Sequence, residues 1–202
     1  MPSKKGKIII LNGASSSGKT ATAKELQKLL RNYEYFPIDK YSSNWVKTHP
    51  EIIQKLQEEA ETLGPNNWKI REELENKSVL EYQKLLREKA QSGTNLIADY
   101  VLWKQRLSKN CAKLLRPYNV LFVGLDCPIN ILEKREEARK NRLSGLAAKH
   151  ALTVHKGKRY DIRLPTDRMN PQKCATTIFE YIQKRDLEKE PSVPQKLNSD
   201  DS

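Results

Sequence analysis

The sequence predicts an α/β fold: a mainly parallel sheet with helices on both faces. Two observations lead there. Apolar runs of strand length alternate with segments of helical periodicity along most of the 202 residues, the pattern of strands joined by helical crossovers. The first run, "KIIIL" at 7–11, leads directly into "GASSSGKT" at 13–20 and then a helical segment. Strand, glycine-rich loop and helix in that order are the context in which G-x-x-x-x-G-K-[ST] cradles phosphate. The fold class is therefore that of the P-loop NTPases.

The elements follow in order. Residues 7–12 read as a short buried strand of three isoleucines and Leu11, and residues 18–31 as a helix with Ala21, Leu26, Leu29 and Leu30 inward. "YEYFPID" reads as a second strand ending at Asp39. Residues 48–92 are polar and helix-rich, with Ile52, Ile53, Leu56, Ala60 and Leu63 at helical spacing and "GPNN" at 64–67 as a break. "SVLE" at 78–81 offers a capping box for a further helix. Gly93 stands where that helix should stop. "TNLIADYVL" is the next strand, followed by a helix over 104–115 and a strand in "YNVLFVGLDC". Pro128 fits the first turn of a helix running to Leu143. "RYDIRLPT" is a candidate last strand and 171–185 a closing helix. From Asp186 the chain is polar, Pro-containing and predicted disordered. The division is one domain over 1–185 and a tail over 186–202.

Composition narrows the function classes. No apolar run approaches the roughly 20 residues that span a bilayer. The basic start "MPSKKGK" leads into strand residues rather than a signal-peptide apolar region. Cys111, Cys127 and Cys174 form no C-x-x-C pair, and His49, His150 and His155 have no ligand spacing with them. These features predict a cytoplasmic protein without disulfides, a zinc site or a membrane partner. The net charge is +12, and the tail carries five acids and two lysines, so residues 1–185 carry +15. A basic body suits anionic partners. The lysines, however, are dispersed along predicted helices, as on solvated faces rather than a nucleic-acid track.

Chemistry concentrates at the ends of the predicted strands, where open parallel sheets bind ligands. Gly13, Ala14, Ser15, Ser16, Ser17, Gly18, Lys19 and Thr20 form the phosphate loop. Its N–H groups and the following helix N-terminus face phosphate oxygens, Lys19 neutralises the β and γ phosphates, and the Thr20 hydroxyl holds Mg²⁺. Asp39 is placed to take the proton of an attacking hydroxyl, or it caps the turn that follows it. Asp99 is placed in the magnesium shell, or it caps a turn or contacts Thr20. Arg135, Arg139 and Arg142, spaced four and three apart, share one helix face. They stabilise charge on a transferring phosphoryl group, or they pair on the surface with Glu133, Glu136 and Glu137. "SGLAAKH" at 144–150 reads as a flexible hinge or lid end, and Lys149 and His155 either reach substrate or are structural.

The stretch from Cys127 to Thr166 resembles the lid and C-terminal region of chloramphenicol phosphotransferases. It holds an R-E-x-A-R-x-x-R helix, a G-x-A-A-K that follows it, and Val154, His155, Gly157, Tyr160 and Asp161 in V-H-x-G-x-x-Y-D. "IIILNGASSSGKT" and the acids of "FPID" and "LIADYVL" also match that family. The resemblance covers 7–41 and 94–178, and is poor over 42–93, which forms much of the acceptor pocket in that family. Tyr100 stands where the family pattern has a second acid. The resemblance implies an ATP-dependent kinase of a small-molecule hydroxyl, with the fold of nucleoside and shikimate kinases. It implies Asp39 as general base and a lid over about 128–155 whose arginines close on the nucleotide. Two alternatives stand beside it. One is a kinase of RNA ends or nucleotide-sugars, motivated by the basic body. The other is a non-catalytic nucleotide-dependent protein whose acidic tail is a partner-binding or export signal.

Overall fold

The computed structural model describes residues 5–63, 68–138 and 145–188. Five strands form one sheet: β1 (Ile8–Asn12), β2 (Tyr33–Tyr35), β3 (Asn95–Asp99), β4 (Val120–Asp126) and β5 (Ile162–Pro165). The spatial order is β2-β3-β1-β4-β5, and every neighbouring pair is parallel. β1 is central, with Leu11 opposite both Asp99 of β3 and Val123 of β4. The chain leaves β1 toward one edge for β2 and β3, then crosses to β4 and β5. Ligand-binding crevices form outside the carboxyl ends of strands where such an order reverses.

The helices are α1 (Lys19–Leu29), α2 (Ile38–Thr48), α3 (Pro50–Leu63), α4 (Trp68–Gln91), α5 (Gln105–Leu115), α6 (Ile129–Glu137), α7 (Leu146–Ala151) and α8 (Pro171–Glu188). Both faces of the sheet are covered. Ile8 and Ile10 of β1 point toward Tyr82 and Leu86 of α4 and Cys111 and Leu115 of α5. Ile9 and Leu11 point to the other side, toward Leu26 of α1 and Ala175 and Ile178 of α8. A strand buried on both faces has no polar alternation, which is why β1 reads as an unbroken apolar run.

Three local readings change. β2 stops at Tyr35, because Pro37 (φ −79°, ψ 138°) breaks the ladder and caps α2. Asp39 therefore lies in the first turn of α2 instead of ending a strand. No helix starts at Ser78: α4 runs unbroken from Trp68, and the buried Ser78 hydroxyl lies 2.9 Å from that of Ser42 on α2. The would-be capping hydroxyl thus fastens two helices together. "SGLAAKH", read as a flexible hinge or lid end, is helical over Leu146–Ala151. The end of α4 is as expected: Gly93 (φ 92°) closes a Schellman turn in which the Thr94 N–H donates to the Lys89 carbonyl at 3.0 Å. The "GPNN" break, the part of the predicted helix over 139–143 and the tail beyond 188 lie outside the described residues.

Candidate active site

The phosphate loop joins β1 to α1 and is held open by its own backbone. Ser16 (φ 64°) and Gly18 (φ 90°) both adopt left-handed conformations. Gly13 is enclosed: a Cβ there would lie 2.6 Å from Ser17 Oγ and 2.7 Å from the Leu125 carbonyl oxygen. The carbonyl belongs to β4 and cannot yield, so Gly13→Ala must displace the loop. The expected cost is about 1–3 kcal/mol of stability, with loss of nucleotide binding, read by thermal denaturation with and without nucleotide.

Two loop hydroxyls, Ser16 Oγ and Ser17 Oγ, are buried without a hydrogen-bond partner. A buried donor left unsatisfied costs about 1–3 kcal/mol, and a phosphate in the loop offers the missing acceptors. Lys19 Nζ donates to the loop's own carbonyls, Gly13 O at 3.0 Å and Ala14 O at 2.7 Å. These features fit a bound phosphate chain.

Next to the loop, Asp99 ends β3 and is buried. Its Oδ2 accepts from the Thr20 hydroxyl at 2.8 Å and from the Tyr35 hydroxyl at 2.9 Å. Burial pushes its carboxyl upward, while the two hydroxyls and Lys19 oppose that shift. Thr20, Asp99 and Asp39 all line one cleft of about 480 Å³ beside the loop, although they lie far apart in sequence. The same cleft takes Ile38 and Ser42 from α2, Glu75 and Val79 from α4, and Trp103 and His150. The segment that departs from the family pattern thus supplies one side of the cleft.

His150, on α7, was not among the residues the sequence singled out. Its ring lies 5.6 Å from that of Trp103, and its Nδ1 is buried with no hydrogen-bond partner. Burial, then the nearby Lys19, lowers its pKa to about 4, so the imidazole is neutral at pH 7. A lone histidine on a short segment with no ligand spacing carries no sequence signal for such a place. Trp103 and Glu75 were likewise invisible, because only the packing of α4 against the loop after β3 brings them to the cleft.

Arg135 lies on another side of the loop. Its Nη2 donates to the Thr166 carbonyl at 2.7 Å, and it lines a second cleft of about 470 Å³ with Ser16, Gly18, Thr22, Arg168 and Asn170. Arg139 and Arg142 lie outside the described residues. Glu136 is buried, and its carboxylate accepts the N–H groups of Gly145 (2.8 Å) and Ala147 (2.9 Å), joining α6 to the start of α7.

The V-H-x-G-x-x-Y-D stretch is a fastening. The buried Asn12 amide donates to the Tyr160 hydroxyl (2.7 Å) and the Val154 carbonyl (3.1 Å), and its Oδ1 accepts from Leu102 N–H (2.8 Å). The Tyr160 hydroxyl is 2.8 Å from His155 Nδ1, and His155 Nε2 is 3.4 Å from Asp126, which Arg163 grips in turn. Asp161 accepts the Phe122 N–H at 2.8 Å. His155 is therefore engaged within this network, and Lys149 lies over the Trp103 ring at 4.8 Å. Tyr160→Phe removes the shared hydroxyl from a half-buried network and is expected to cost about 1–3 kcal/mol, measured as a lower denaturant midpoint.

Among the described residues no group of three or more His, Cys, Asp and Glu side chains is arranged to hold a metal, and no helix is long and apolar enough to cross a membrane.

A phosphate loop opening a helix at the carboxyl edge of a parallel 2-3-1-4-5 sheet is the architecture of the P-loop kinases. Solved structures share it. The tunicamycin resistance protein of Deinococcus radiodurans superposes with a TM-score of 0.63 at 17% identity, over 88% of this chain and 96% of that one. The APS kinase of Mycobacterium tuberculosis, solved with AMPPNP and APS, gives 0.58 at 16% identity over 89% and 98%. Residues 6–183 match the family described as chloramphenicol phosphotransferase-like protein, and the chain belongs to that family. A Mycobacterium tuberculosis relative, provisionally named an O-phosphotransferase, is 25% identical over 189 residues, covering 88% of this chain and 83% of the relative. The chain is thus a phosphotransferase of the kinase type that acts on a small molecule.

Proposed function

We propose that the chain transfers the γ-phosphate of ATP, with Mg²⁺, to a hydroxyl group of a small molecule. The observation that carries this reading is the convergence of Lys19, the Thr20–Asp99 pair and Asp39 on one cleft of about 480 Å³. The phosphate loop, with the unsatisfied Ser16 and Ser17 hydroxyls, holds the phosphate chain. Lys19 turns from its own carbonyls to the β and γ phosphates. Thr20 and Asp99 are the residues that hold Mg²⁺, which supplies charge neutralisation along the phosphate chain. Asp39 accepts the proton of the acceptor hydroxyl as its oxygen attacks the γ-phosphorus, and ADP leaves.

Arg135 serves the nucleotide from the second cleft. Arg139 and Arg142 are assigned with it to the charge on the transferring group, from their spacing in the sequence. Residues 1–185 act as the kinase unit, about 128–155 close over the nucleotide as a lid, and 186–202 form a polar tail. The protein works in the cytoplasm.

The acceptor side of the cleft combines the apolar surfaces of Ile38, Val79, Val101 and Trp103 with the acids Asp39 and Glu75. Apolar walls with few polar groups suit a hydroxyl compound that is uncharged where it meets them. The test is transfer of labelled γ-phosphate from ATP and Mg²⁺ to a panel of chloramphenicol, nucleosides, amino-sugar antibiotics, nucleotide-sugars and RNA ends. A labelled small-molecule product supports the reading. Label on RNA ends alone overturns the acceptor class, and no product on any acceptor favours a nucleotide-dependent binding protein.

A further inference from the structure

We propose that Tyr35 is a positioning residue for the metal site: its hydroxyl holds Asp99 in the orientation in which that carboxylate serves a nucleotide-bound magnesium ion. The proposal rests on the reading of Thr20 and Asp99 given above, and it adds a residue that neither the phosphate-loop motif nor the family resemblance marks.

The geometry begins with the sheet. Tyr35 is the last residue of β2 and pairs with Ile97, two residues before Asp99 on β3. From that register its ring reaches along the sheet to the strand end, and its hydroxyl donates to Asp99 Oδ2 at 2.9 Å. Thr20 Oγ1 donates to the same oxygen at 2.8 Å. Asp99 is only 5% exposed, so little water reaches the carboxylate to replace either donor. The residue that follows Asp99 does not share this role, because Tyr100 is buried and its hydroxyl accepts from Gln83 Nε2 at 3.1 Å. Asp99 is the single carboxylate at the end of β3.

The two donors have different fates. Thr20 opens α1 and lies against the phosphate loop, so its hydroxyl is the one that turns toward a metal. Tyr35 lies on the edge strand β2 rather than on the loop, its hydroxyl close to that of Thr20 as well, and its bond to Oδ2 remains when Thr20 turns away. A carboxylate held on one oxygen by a fixed phenol presents the other in a set direction. Partners that orient metal-binding side chains in this way typically change metal affinity by about 10–100-fold when removed.

The experiment uses the full chain, Mn²⁺ as a paramagnetic probe and AMPPNP as a non-hydrolysable nucleotide, with Mn²⁺ affinity read by electron paramagnetic resonance. Tyr35→Phe is expected to weaken Mn²⁺ in the nucleotide complex by about 10–100-fold. AMPPNP binding in EDTA should be unchanged. Tyr35→Leu should lose the same factor, since it lacks the same hydroxyl. Loss in Tyr35→Leu alone would mean that ring packing matters and the hydroxyl does not, and the proposal falls. Asp99→Asn is measured beside them. If it weakens Mn²⁺ while Tyr35→Phe does not, the Tyr35 assignment is wrong and the metal reading survives. If Asp99→Asn leaves Mn²⁺ binding intact, the metal reading itself fails and takes the proposal with it. Support requires that adding Tyr35→Phe to Asp99→Asn causes no further loss.

Discussion

Asp39→Asn is expected to lower kcat by about 10²–10⁴-fold, the range a general base contributes, with nucleotide affinity unchanged. The substitution keeps the size and hydrogen-bonding capacity of the side chain and removes its ability to take a proton. Asp39 is exposed, lies in the first turn of α2 and lines the cleft with the phosphate loop. That position also suits a purely structural role, because a carboxylate in the first turn of a helix stabilises it by about 0.3–1 kcal/mol. The two roles separate cleanly in measurement. A base shows as a collapse of transfer rate with a small change in melting temperature. A capping residue shows as the small change in melting temperature alone, and that outcome would remove Asp39 from the mechanism. Single-turnover transfer and calorimetric nucleotide binding, on the same preparations, decide between them.

Lys19→Ala is the second large effect. Transfer should fall by about 10²–10³-fold or more, the loss seen when one preorganised donor is withdrawn from developing charge. Affinity should also fall, and more for a nucleoside triphosphate than for a diphosphate, because Lys19 is assigned to the β and γ phosphates. Folding should be nearly unaffected. Its contacts at 3.0 and 2.7 Å are to carbonyls of its own loop, and the side chain is only half-buried. A variant that keeps its preference for triphosphate over diphosphate would contradict the assignment. A variant that melts well below the parent would show instead that the loop needs Lys19 for its own shape.

Much of the fold was legible because burial on both faces leaves a direct mark on a strand. Ile8 to Leu11, Leu96 to Ala98 and Val120 to Val123 are apolar without alternation, since each side of the sheet packs on helices. The phosphate loop was legible for a different reason: it works through backbone geometry, which glycine reports locally. The errors fell where a local signal had two meanings. Ser78 looked like a cap because serine followed three residues later by glutamate often is one, yet here its hydroxyl meets Ser42 across two helices. Asp39 looked like a strand end because the aromatic run before it continues to Phe36, yet Pro37 stops the strand and starts α2. His155, read as either substrate-reaching or structural, has the structural place: it is bound to Tyr160 inside the fastening built on Asn12.

The sequence by itself determined the phosphate loop, the strands on either side of it, the two acids Asp39 and Asp99, and the family resemblance carried by Arg135 to Asp161. All of these depend on residues near one another in the chain, or on a pattern that repeats along it. Only the tertiary structure decided that Tyr35 and Thr20 meet on one oxygen of Asp99, that His150 and Trp103 border the same cleft as Asp39, and that Asn12 ties the loop to Leu102, Val154 and Tyr160. Each of those contacts joins segments brought together by crossovers of the sheet. The order 2-3-1-4-5 places β3 between β2 and β1, and no local preference of the residues encodes which strand will be a neighbour.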